Sequence, residues 1–242
     1  MIDESTINKY WKRHDKLMKF GLKTGLIRGY GEEFLARLRE VYYGGIPASI
    51  LLLNPMSCGG KCYDRAVLAC FAFEDVDYQV VHANVDSIRY NRKTVEEVNY
   101  WLKQGEEISP RYPNDCFVEF KLGNGTWVLD TSDGLVYEKH LYYLINNPEI
   151  NCIRSKAETL EFPDYRDIAN ADFNKDKWIV PTLLPIIEQQ IEDSSMYKDF
   201  ARREIKIFKD RIHYDELCAM DAAEKEAFYA SVENRNGASL KA

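Results

Sequence analysis

Two runs rich in aromatic and β-branched residues, Asp115 to Leu122 and Thr126 to Leu129, flank the tripeptide Gly123-Asn124-Gly125. Strand-forming segments on either side of a Gly/Asn turn signal specify a β-hairpin. That feature constrains the chain most, because it demands an antiparallel sheet in a polypeptide whose remaining pattern is mostly helical. The fold class that follows is α+β. The turn leaves two registers open. A loop centred between Leu122 and Gly123 makes paired numbers sum to 245 and sets Asp115 directly opposite Asp130. A loop centred on Asn124-Gly125 pairs Glu119 with Asp130 and leaves Asp115 four residues away, roughly 13 Å along the strand.

Elsewhere apolar residues recur at three- and four-residue spacing. Ile7, Tyr10 and Trp11, then Phe34, Leu35, Leu38, Val41 and Tyr42, predict two amphipathic helices between Ser5 and Tyr43, broken near Gly21 to Gly31. Gly44-Gly45-Ile46-Pro47 closes the second, and Asn54 to Gly60 reads as a loop. Cys62, Ala66, Ala69, Cys70 and Phe73 lie on one stripe of a further helix that starts at Cys62. Tyr78 to Val85 reads as a strand and Thr94 to Leu102 as a helix. A helix is also expected over Tyr137 to Leu144, mostly helical structure from Pro181 to Tyr229, and a frayed end from Asn234. The organisation expected is N-terminal helices over residues 1–45, a core over 46–150 and a mostly helical extension over 151–242.

Composition narrows the function classes. With 45% hydrophobic and 29% charged residues the 242-residue chain can bury a sizeable core. Its 32 Lys+Arg against 39 Asp+Glu give a net charge of −7, which repels phosphate backbones and anionic lipid, so neither nucleic acid nor a membrane is expected as a partner. The apolar run Ile50 to Leu53 is far shorter than the ~20 residues that span a bilayer. Met1-Ile2-Asp3-Glu4-Ser5 has neither the basic nor the apolar region of a secretory signal, which makes a cytoplasmic location the expectation. Six cysteines are too sparse for a disulfide scaffold and read as thiols.

Cys62 is placed for nucleophilic chemistry. A thiolate is favoured at a helix start by the partial positive charge and unpaired N–H groups there, and Gly59 and Gly60 leave room for a substrate backbone. An average cysteine is instead a small buried hydrophobe, so the surrounding residues carry the argument. Cys58-x3-Cys62 lacks a second Cys/His pair at zinc spacing, and the glycines lack a phosphate-cradling context, so no metal, nucleotide or other cofactor is called for. His14 and His213 read as solvated helical residues, and His82 and His140 as structural ones.

Three motifs in register resemble one family. Gly60-Lys61-Cys62-Tyr63-Asp64-Arg65-Ala66 is similar to the G-x-C-x-D-x-A opening of the transglutaminase-like branch of the papain-fold thiol enzymes. Asp115-Cys116-Phe117-Val118-Glu119 resembles its H-x-[WF]-x-E strand, and Trp127-Val128-Leu129-Asp130-Thr131-Ser132 its W-x-x-x-D-x-T strand, with Ser132 in the Thr slot and the motif one residue tighter. The likeness covers about Ile46 to Leu144. It implies a central Cys-bearing helix packed on an antiparallel sheet, with helical additions at both ends. It also implies acyl transfer from a protein or peptide amide through a Cys62 thioester, with Asp130 as orienting carboxylate. Asp115 stands where the family carries its histidine base. With an ordinary pKa near ~3.9 against ~8.5 for a thiol, a carboxylate is a poor acceptor of the thiol proton, and its charge disfavours the thiolate. The expectation is therefore an impaired or inactive thiol enzyme, the result of natural loss or of engineering, with a non-catalytic binding module of the same fold as the alternative.

Overall fold

The computed structural model describes residues 4–43, 45–53, 62–86, 111–161, 180–194 and 197–219, together with position 227. The expected loop at 54–60, the helix at 94–102 and the end beyond 234 lie outside the described residues. The chain forms two compact units interleaved in sequence. The first comprises Met1–Gly29, Val76–Asp130 and Leu135–Lys156, and the second Tyr30–Asp75, Thr131–Gly134 and Ala157–Ala242.

The first unit is α+β. Strands β1 (Ile27–Gly29), β4 (Tyr78–Asp86), β5 (Arg111–Leu122), β6 (Gly125–Asp130), β7 (Leu135–Glu138) and β8 (Glu149–Ser155) make a six-stranded sheet in the order β1-β7-β6-β5-β4-β8, antiparallel throughout. Helices α1 (Glu4–Thr24) and α5 (Lys139–Asn146) supply Leu17 and Met18, and Leu141, Tyr142 and Ile145, to a core built on Val81, Phe117, Val128 and Tyr137 of the sheet. Gly21 permits the close approach of α1. A Cβ there would meet Leu141 Cδ2 at 2.7 Å and crowd Ile27 as well.

The hairpin forms where the sequence places it, with a register between the two alternatives. Leu122 pairs with Gly125, and the ladder continues to Val118 opposite Leu129, so paired numbers sum to 247. The turn residues are Gly123 and Asn124, with the positive φ of +59° on Gly123. Glycine at the first central position is the II′ arrangement, whose twist matches that of the flanking strands. Carried one step further, this register sets Asp130 opposite Phe117 and makes Asp115 its diagonal neighbour, about 7–8 Å away.

Local structure departs from the sequence reading in four places. The helix expected through Tyr42 ends at Arg37, a 3₁₀ turn follows over Leu38–Glu40, and Tyr42–Tyr43 turn back to pair with Ile46–Pro47 as a short hairpin. The break in the N-terminal helical pattern holds β1, which pairs with β7 (Arg28 opposite Val136). The helix expected from Tyr137 begins at Lys139, because Leu135–Glu138 are drawn into the sheet and the Glu138 carboxylate caps the helix by accepting from Leu141 N at 3.0 Å. Strand β8 occupies a segment assigned to a helical extension.

The second unit contains α2 (Glu32–Arg37), a 3₁₀ turn at Leu38–Glu40, the short hairpin β2 (Tyr42–Tyr43) and β3 (Ile46–Pro47), α3 (Ala48–Leu52) and α4 (Cys62–Cys70). It also contains most of α6 (Lys156–Glu161), and α7 (Val180–Ser194), α8 (Lys198–Arg211) and α9 (Tyr214–Ala219), in keeping with the helical periodicity after Pro181. The apolar run that is too short for a membrane forms α3, buried over its whole length. Among the described residues no helix is long and apolar enough to cross a membrane.

Candidate functional site

Cys62 is the first residue of α4 and half-buried, while Arg65 to Cys70 behind it are buried. The stripe containing Ala66, Ala69 and Cys70 is the reason: it leaves the helix start as the less enclosed end. Two contacts fix that start. Tyr43 Oη donates to Asp64 Oδ2 at 2.7 Å. The guanidinium of Arg65, only 3% exposed, donates to the main-chain oxygens of Thr131 at 3.1 Å and Leu51 at 3.2 Å, with a longer bond of 3.5 Å to Leu52. Arg65 thus ties the first turn of the Cys62 helix to the end of α3 and to Thr131, all within the second unit. Gly59 and Gly60 lie outside the described residues.

Asp115 and Asp130 belong to the first unit and Cys62 to the second. Both carboxylates are buried, at 1% and 0% exposure. Alternation places them on one face of the sheet, with Phe117 and Val128, under the helices. Each has a hydrogen-bonded role there. Asp115 Oδ1 accepts from the Cys116 N–H at 3.0 Å, and Asp130 Oδ2 accepts from Tyr142 Oη at 2.8 Å. Tyr142 itself is fully buried in the core, stacked at an angle on Phe117 with 4.8 Å between ring centres.

Glu119, the last residue of the strand motif, completes the row. It is 2% exposed and accepts from Gln79 Nε2, Lys139 Nζ and Tyr143 Oη, each at 2.7 Å. Burial first, and then the bond to Glu119, push the Tyr143 phenol far above its ordinary range. The sequence marked Glu119 only as a motif letter; its donors lie 20 to 40 residues away and become neighbours through the sheet register and the seat of α5.

The histidines divide clearly. His213 and His140 are exposed, whereas His14 is half-buried against Trp11, with 5.6 Å between ring centres, rather than on a solvated face. His82 lies directly opposite Cys116, and its Nδ1 is 3.1 Å from the Cys116 sulfur on the opposite face of the sheet from Asp115. Burial, and then the nearby Arg154, hold its imidazolium below the ordinary range, so the ring is neutral at neutral pH. This thiol–imidazole pair is invisible in the sequence, because it depends on which residues of β4 and β5 face each other.

Among the described residues no group of three or more His, Cys, Asp or Glu side chains is arranged to hold a metal ion. No protein-family model matches the chain, and no curated protein or solved structure is similar enough to count as a match.

Proposed function

We propose that the chain is a transglutaminase-like, papain-fold thiol-enzyme scaffold in which Cys62 is the nucleophile position and Asp130 the orienting carboxylate. Acyl transfer is impaired in this scaffold because Asp115 occupies the base position. The observation that supports the reading lies within the first unit: the β5–β6 pairing sets Asp115 and Asp130, the two strand positions of the resemblance, on one face of adjacent antiparallel strands. The chemistry is the attack of the Cys62 thiolate on an amide carbonyl of a protein or peptide. The amine leaves with a proton, and water or a second amine then opens the thioester. An imidazole at position 115 would take the thiol proton and stabilise the thiolate as a cation; a carboxylate does neither. The burial of Asp115 and the Tyr142 bond to Asp130 favour a second reading, a binding module that keeps the fold and has no turnover.

Asp115→His tests both readings. The expected outcome is a lower pKa of the Cys62 thiol, read as faster iodoacetamide alkylation of Cys62 at neutral pH, mapped by mass spectrometry, with Asp115→Asn as the uncharged control. General-base catalysis contributes typically ~10²–10⁴ once an amide substrate is supplied. An alkylation profile identical in the parent protein, Asp115→His and Asp115→Asn would show that position 115 does not address Cys62, and would leave the binding module as the better account.

A further inference from the structure

Among the described residues β8 ends the six-stranded sheet. Nearly all its side chains are exposed, including Ile150 at 38% and Ile153 at 47%. An edge strand also directs a row of backbone N–H and C=O groups away from its sheet, a template for another strand. Its pairing with β4 sets Cys152 opposite His82 but Ile150 opposite Ala83, so Asn151 is one extra residue, a β-bulge. The bulge rearranges the faces. Ile150 and Ile153 lie opposite Ala83 and Val81, both of the helix-covered core, and share that face. Glu149, Cys152 and Arg154 lie opposite Asn84, His82 and Val80 and share the other. On a regular strand two residues three apart, such as Ile150 and Ile153, would point to opposite faces. With the bulge, the order of faces over Glu149–Arg154 is the same read in either direction.

We propose that β8 is a self-pairing edge, on which a second copy of this chain docks by antiparallel β8–β8 pairing about a two-fold axis between Asn151 and Cys152. In that register Glu149 lies opposite Arg154 of the second copy and Ile150 opposite its Ile153, and symmetry repeats both pairs. Each match joins residues of like face, opposite charge or shared apolar character. A slip of one residue would set Ile150 against Arg154 and split the faces. The interface is small, so the dimer is weak and forms with rising concentration.

Two Cys152 residues flanking the axis would have Cα atoms roughly 6 Å apart, from strand spacing and rise, within the range a disulfide bridges. Diamide, which takes two electrons and two protons from a pair of thiols, is the probe. The expected results are a concentration-dependent dimer in sedimentation velocity and a covalent dimer under diamide that is lost in Cys152→Ser and kept in Cys218→Ser, the exposed control on α9. Arg154→Glu faces like charges twice and shifts the population to monomer, whereas E149R/R154E together restore the dimer. A chain that stays monomeric at high concentration, a linkage that depends on Cys218, or a dimer indifferent to Arg154→Glu would each overturn the proposal.

Discussion

Each unit buries a glutamate, and the two are supported in opposite ways. In the first, Glu119 draws its hydrogen bonds from three residues on two elements, Gln79 on β4 and Lys139 and Tyr143 on α5. In the second, Glu204 on α8, 4% exposed, draws both of its bonds from the guanidinium of Arg39, at 2.6 and 2.7 Å. A fork aimed at a carboxylate gives strength and geometry from one side chain. A set of separate donors gives redundancy: losing one leaves the charge still solvated by the rest. The comparison teaches that a buried charge is as robust as its least replaceable partner.

The largest effect should therefore come from Arg39→Ala, which strips Glu204 of both bonds. Chemical denaturation should register a loss of about 2–3 kcal/mol, below most of the ~3–5 kcal/mol range for breaking a fully buried pair because Arg39 is 41% exposed. Lys139→Ala and Tyr143→Phe should each cost about 1 kcal/mol, since two donors to Glu119 remain in either case. The double variant should cost more than the sum, because only Gln79 is then left. If Lys139→Ala proved as damaging as Arg39→Ala, the distinction between shared and single support would collapse.

Smaller is the pH-dependent contribution of two groups with displaced ionisation. Burial, foremost, pushes the Tyr197 phenol from 10.0 up to about 12, where its hydroxyl donates to Gly134 O and accepts from the Tyr30 N–H. A raised folded value gives stability that is whole below pH 10.0 and is lost as pH climbs toward about 12. His82 works in the other direction. Its lowered folded value gives stability that is present above the ordinary 6.5 and lost as pH falls. Melting temperatures followed across pH should show Tyr197→Phe flattening the alkaline limb and His82→Gln the acid limb, each leaving the other limb unchanged.

What the sequence discloses follows the range of the interaction concerned. The β5–β6 hairpin and the start of α4 at Cys62 are written in neighbouring residues and could be read directly. The hairpin register could not, because it hangs on whether the left-handed residue is Gly123 or a later one. Strand β1 is three residues long, and its partner Leu135–Glu138 lies over a hundred positions away. The pattern Glu-Ile-Asn-Cys-Ile-Arg loses its period of two at Asn151, so no alternation announces β8. Of the candidate site, the motif letters Cys62, Asp115 and Asp130 stand in the sequence as expectations; the Tyr142, Tyr143 and Arg65 contacts that hold those strands and that helix are tertiary and could not be read there.

Arg65 has a consequence for how the chain can vary. It donates to the main-chain oxygens of Leu51, Leu52 and Thr131, groups that every amino acid possesses. Nothing about these bonds requires leucine or threonine at the receiving positions, whereas only a long forked cation can serve all three from the donor side. The tether of the Cys62 helix is thus indifferent to drift in the segments it holds and depends on one residue in the helix itself. Lysine, a point donor, would keep the charge and lose the simultaneous reach.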